Sequence, residues 1–129
     1  MSMKNTLMET LGIEVVIANP EEVTLRMPVN QHTHQPMGFL HGGASVALAE
    51  SAASIASFLN IDPKSQQVFG IEINANHIKS VRSGYVYGTA KPFHIGKTTM
   101  VWEISIIDEK EQLISISRCT VGVVALKNS

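Results

Sequence analysis

The residues best suited to chemistry in this chain fall in one stretch: His41-Gly42-Gly43, and after them Glu50. A carboxylate can act as a general base or as a nucleophile. Glycines at the start of a helix leave backbone N–H groups without intrahelical partners and let a substrate approach them closely. Aligned peptide dipoles add partial positive charge there, so a carbonyl oxygen gaining negative charge could be held, as in an oxyanion hole. By helical rise Glu50 lies roughly 12 Å from Gly42. The two can address one substrate only if that substrate, or a second chain, spans the gap. Plainer readings stand beside these: Glu50 on a solvated helix face, where most glutamates sit, and His-Gly-Gly as a loop end with His41 capping or packing.

The company of Glu50 weighs against the plain reading. It is the only Asp, Glu, Lys or Arg between Arg26 and Asp62. One turn away on either side stand Val46, Ala47, Ala53 and Ser54, whereas a solvated helix usually carries charges in i, i+4 pairs. At about 100° per residue, Leu48, Ile55 and Leu59 share a narrow sector expected to face a sheet. Glu50 lies nearly opposite, flanked by Val46, Ala53, Ser54 and Ser57. A face of small residues suits close approach by a ligand or a second subunit, and a carboxylate there is partly desolvated, one way to prepare a base or nucleophile.

The elements that must position these groups follow from pattern. A short helix is predicted over 4–11, strands over 14–18 and 22–28, an irregular segment over 29–41 and a long helix over 42–60. Four more strands are expected over 66–79, 84–94, 98–108 and 112–126. Val23, Leu25 and Met27 alternate cleanly. Phe69, Ile71, Ile73 and Ala75 are expected to share one strand face, and Met100, Trp102, Ile104 and Ile106 another. Residues 82–84 and 108–111 look like hairpin turns, which implies antiparallel pairing. The layout is α+β, one central helix wrapped by a curved antiparallel sheet, in a single domain over 1–129.

Bulk properties narrow the function. Of 129 residues, 44% are apolar and 16% charged, with a net charge of −1. The charged share is below the usual quarter or so, which suits further burial in a homo-oligomer. No basic block marks a nucleic-acid partner, and no run approaches the roughly 18 apolar residues of a membrane span. With one cysteine, no signal-like N-terminus and no intrachain disulfide, the expectation is a cytoplasmic protein. His32 and His34 lack a third ligand in register for a metal. Cys119 sits in an apolar strand pattern and reads as a small core residue. No G-x-S-x-G motif occurs, and Gly42-Gly43 lacks the rest of a P-loop.

Taken whole, the segment from Gln35 through His41-Gly42-Gly43 to Glu50-Ser51 closely resembles the signature of hotdog-fold acyl-CoA thioesterases of the PaaI-like branch. Within it the likeness is greatest to the enterobactin-proofreading and 1,4-dihydroxy-2-naphthoyl-CoA thioesterases. The runs Gly70 to Ser80 and Lys91 to Gly96 resemble the same branch. The resemblance implies hydrolysis of an acyl-CoA with an aromatic or medium acyl group, by Glu50 as nucleophile or general base. Gln35 and the Gly42 N–H would polarise the thioester carbonyl, His41 would sit near the leaving group, and Ser54 would position water or the carboxylate. Gly70, His77, Ile78, Lys79 and Ser80 would line the CoA channel. His94, Ile95, Gly96, Lys97 and Thr98 would reach the CoA end from a facing subunit. Of Lys79, Arg82, Lys91 and Lys97, one or two would meet phosphate. It further implies a homodimer or homotetramer with sites between chains, and neither metal nor cofactor, CoA being part of the substrate. Two rivals of other kinds remain: a non-catalytic acyl-CoA-binding module, and a hotdog dehydratase acting on hydroxyacyl thioesters.

Overall fold

The computed structural model describes residues 2–127. Its elements are α1 (Leu7–Leu11), β1 (Glu14–Asn19), β2 (Glu22–Pro28), α2 (Gly42–Phe58), β3 (Gln66–His77), β4 (Tyr85–Ile95), β5 (Thr99–Asp108) and β6 (Leu113–Ala125). All six strands form one antiparallel sheet in the order β1-β2-β4-β5-β6-β3. The expected hairpin at 108–111 joins β5 to β6, but residues 82–84 do not make one. β3 pairs only with β6, so the chain crosses from one sheet edge to the middle before β4. Short connections bias strands towards pairing with their sequence neighbours, but β6 offers β3 an 11-pair ladder instead.

The sheet curls around α2, which touches every strand. That contact widens the buried face of the helix well beyond a narrow stripe. Leu48 and Ile55 are buried as expected, but so are Ala44, Ala49, Ala52, Ala53, Ala56 and Ser57. Ala53 and Ser57 therefore belong to the core and not to the Glu50 face. Leu59, expected against the sheet, is exposed because the helix has ended and Leu59 is its C-terminal cap. Alanines let the strands come close. Opposite Leu48, a β-carbon on Gly88 would stand 3.3 Å from the leucine side chain.

Two polar groups in this core satisfy each other. Trp102, fully buried, donates its indole N–H to Ser57 Oγ at 2.7 Å, and Ser57 donates to the Ala53 carbonyl at 2.8 Å. Ser57→Ala leaves the indole N–H buried without an acceptor, a loss of about 1–3 kcal/mol. The expected lower midpoint in urea with an unchanged slope is read by fluorescence of that single tryptophan.

A bulge corrects the reading of β3. The register with β6 shifts between Gly70 and Glu72, leaving Ile71 as the extra residue. The extra residue switches which parity faces the helix. Val68 and Ile73 pack against the core, while Phe69 and Ile71 lie exposed over Gly122 on the other side.

Candidate active site

The irregular segment 29–41 is held in place before it delivers the chain to α2. Thr33, buried, donates its hydroxyl to the Pro28 carbonyl at 2.9 Å. The Leu40 N–H bonds the Val81 carbonyl at 2.8 Å, and His34 Nε2 donates to the Arg82 carbonyl at 2.8 Å. The crossover between β3 and β4 thus clamps the loop and fixes where the helix begins.

At that start His41 caps the helix, its Nδ1 accepting from the Gly43 N–H at 2.8 Å. An imidazole accepting at Nδ1 carries its proton on Nε2. Ala44 and Ser45 N–H groups both reach the His41 carbonyl. The Gly42 N–H donates to no acceptor among the described residues. It is the open donor of the first turn, where the peptide dipoles point their positive end. Gln35 accepts at Oε1 from the Met37 and Phe39 N–H groups. Two donors at that oxygen assign the amide orientation and leave the NH₂ free to donate.

Gln35 and Gly42 line one groove of about 250 Å³ with Ser45, His77, Ile78, Lys79 and Ser80. The His77 ring packs against Gly42 so tightly that a β-carbon there would lie 2.8 Å from His77 Nε2. Ser80 and Val81 are shared with a second groove of about 480 Å³ that carries Arg82, Asp108, Glu109 and Lys110. Arg82 stacks its guanidinium 4.0 Å over the Phe39 ring, and Lys79 donates to Gln112 at 2.7 Å. Lys91 stands elsewhere, beside Glu22 and Glu103 on the sheet. His94, Ile95, Gly96, Lys97 and Thr98 lie in or beside the link between β4 and β5 and line none of these grooves.

Glu50 occupies a different cavity of about 280 Å³, with Ser54, Ser51, Ala47 and Ile55 from α2 and Leu7 and Met8 from α1. Glu50 is half-buried and forms no hydrogen bond or ion pair among the described residues. Its Oε2 lies against Gly70 of β3, where a β-carbon would collide with it. Within the chain Gly70 therefore lies against Glu50 and does not line the groove of His77 to Ser80, and residue spacing carried no signal of that contact. Beneath them burial pushes the Cys119 thiol up to about 12, the charges of Glu50 and Glu72 adding to the effect. A thiol so held is no nucleophile near neutrality. Leu7 and Met8 were missed in the sequence because a short amphipathic start looks like any N-terminal cap of a domain.

Within one chain Gln35 and Gly42 thus line one groove and Glu50 a separate cavity. Among the described residues no three His, Cys, Asp or Glu side chains gather as a metal site. No helix there is long and apolar enough to cross a membrane.

Comparison with known proteins places these features in a family. The family model of the thioesterase superfamily matches residues 37–115. The 1,4-dihydroxy-2-naphthoyl-CoA hydrolase of Listeria monocytogenes is 52% identical over 117 residues, covering 91% of this chain and 94% of that protein. A crystal structure of a variant thioesterase from Pseudomonas aeruginosa superposes with a TM-score of 0.94 at 44% identity, over 96% of this chain and 89% of that one. A thioesterase from Haemophilus influenzae gives a TM-score of 0.93 at 40% identity, over 98% and 87%.

Proposed function

The chain belongs to the thioesterase superfamily and is a thioester hydrolase with the hotdog fold; from that premise we propose that it hydrolyses aryl or medium-chain acyl-CoA with Glu50 as the reacting carboxylate. The observation that carries the proposal is Glu50 itself. A lone acid, half-buried and unpaired among the described residues, lies against Gly70 and lines a cavity of about 280 Å³, large enough for an acyl group.

In this reading the thioester carbonyl oxygen lies between the Gly42 N–H and the Gln35 NH₂, both free to donate. They take up the negative charge as the carbonyl carbon becomes tetrahedral. Glu50 either attacks that carbon, forming a mixed anhydride that water then cleaves, or takes a proton from the attacking water. The C–S bond breaks with its electron pair on sulfur, and His41, whose Nε2 carries the ring proton while Nδ1 accepts from Gly43, gives that proton to the thiolate. Ser54, in the Glu50 cavity, orients the water or the carboxylate. The pantetheine arm and nucleotide follow His77, Ile78, Lys79 and Ser80 towards Arg82. Thiolate leaves readily, so the reaction calls for no metal or organic cofactor.

The two halves meet if a second copy joins edge to edge through β3. That strand ends the sheet, runs 12 residues and exposes Phe69 and Ile71, an edge that natural proteins rarely leave open. Pairing there sets Glu50 of one chain against Gln35 and Gly42 of the other, in a homodimer or a homotetramer of such dimers. We place the enzyme in the cytoplasm, a reducing compartment where the unpaired Cys119 stays a thiol. The test is thiol release across a panel of aryl- and alkyl-CoA esters. Benzoyl-CoA is expected to exceed acetyl-CoA in kcat/KM by about tenfold or more, the discrimination an apolar pocket supplies. Equal values remove the acyl assignment, and tight binding without thiol release removes the catalytic one.

A further inference from the structure

The cavity beside Glu50 is walled in part by Leu7, which lies outside the core, whereas its neighbour Met8 packs against it. α1 is five residues long, none of them buried, and Leu7 is 62% exposed. A large apolar side chain left in water forgoes the gain of burial. Leu7 and Met8 nevertheless reach over α2 and close the Glu50 cavity against Ala47, Ser51, Ser54 and Ile55. Leu7 also bounds a neighbouring cavity of about 270 Å³ that ends on His41 and Gly43. Of all lining residues only Leu7 and Ala47 belong to both. Ala47 is the shared floor and Leu7 the ridge between them.

We infer that Leu7 is a specificity-determining residue: it covers the acyl group between α1 and the outer face of α2 and sets the acyl size the enzyme accepts. The inference rests on the hydrolase reading above. A cavity of about 280 Å³ falls just below the roughly 300–1,000 Å³ of sites that enclose a whole drug-sized ligand, so it takes the acyl group and leaves the rest of the ester outside. A short acyl group fits beside Glu50 without reaching the ridge. A ring extends to Leu7 and gives it the apolar partner it otherwise lacks. Ser51 and Ser54, whose hydroxyls make no hydrogen bond among the described residues, can meet a polar substituent on that ring.

The experiment is the ratio of kcat/KM for benzoyl-CoA to that for propionyl-CoA in wild type, Leu7→Ala and Leu7→Trp. Alanine removes the apolar cover and tryptophan fills the space the ring needs, so each variant is expected to lower the ratio by about tenfold or more. Because Leu7 is exposed and lies outside the core that Met8 and Leu11 of α1 pack against, thermal unfolding of both variants should match wild type, which confirms that the change is not one of folding. An unchanged ratio in both variants overturns the inference, as does an equal loss on both esters. Absence of thiol from every ester with wild-type enzyme overturns the hydrolase reading, and this inference with it. Wild-type turnover with unaltered selectivity overturns the inference alone.

Discussion

Glu50→Ala lowers kcat on benzoyl-CoA by about 10²–10⁴-fold, the contribution of a positioned base, while the protein stays folded. The physical case is that this carboxylate has no structural task. It bonds to nothing among the described residues, and the helix around it is held by the alanines and Leu48 on the buried side. Replacing it is therefore expected to shift stability within the ±0.5 kcal/mol or so typical of surface changes, which thermal unfolding reads directly. Glu50→Gln keeps the shape and removes the charge, so it should lose as much as alanine. Glu50→Asp keeps the charge but withdraws it by one methylene, and a displacement of about 1 Å costs on the order of 10²-fold. Thiol release at the wild-type rate by the alanine variant would contradict the assignment outright.

Gly70→Ala, a change of one methyl group on a strand, is expected to cost about 10²-fold in kcat through the same geometry. The Gly70 backbone is not in the left-handed region, so alanine is not strained there; the obstacle is the Glu50 carboxylate, whose Oε2 would collide with the new β-carbon. The side chain must swing away from β3 and take its charge off the line of attack. The mechanism is checked by a double-mutant cycle. If Gly70 acts only through Glu50, the alanine change adds no further loss in a Glu50→Ala background. A full additional loss there would assign Gly70 a task of its own, and an unimpaired Gly70→Ala would show that the carboxylate has room the structure denies it.

Much of the fold was legible because its cues are local. The alternation of Val23, Leu25 and Met27 marked β2, and all three are fully buried. Met100, Trp102, Ile104 and Ile106 likewise share the inner face of β5. The glycine-led helix start was readable from His41-Gly42-Gly43, and α2 begins at Gly42. The misreadings have a common cause. Ser57 and Ala53 looked like part of an outer face because helical angle alone cannot tell how far a sheet wraps a helix. Phe69 and Ile73 looked like neighbours on one face because alternation cannot reveal an extra residue, and Ile71 is one.

Two of the groups proposed for the chemistry were thus readable along the chain itself, the isolated acid from charge spacing and the open helix start from His41-Gly42-Gly43, while Gln35 was marked only by the resemblance to the family. Folding in three dimensions decided the rest. It carried β3 across to β6, laid Gly70 against Glu50, tied the Gln35 amide oxygen to the Met37 and Phe39 N–H groups and set α1 over the carboxylate's cavity. All but the Gln35 contact depend on ladder hydrogen bonds and contacts between segments far apart in sequence, whose choice among partners is a property of the whole closed sheet and leaves no mark in any short stretch of it.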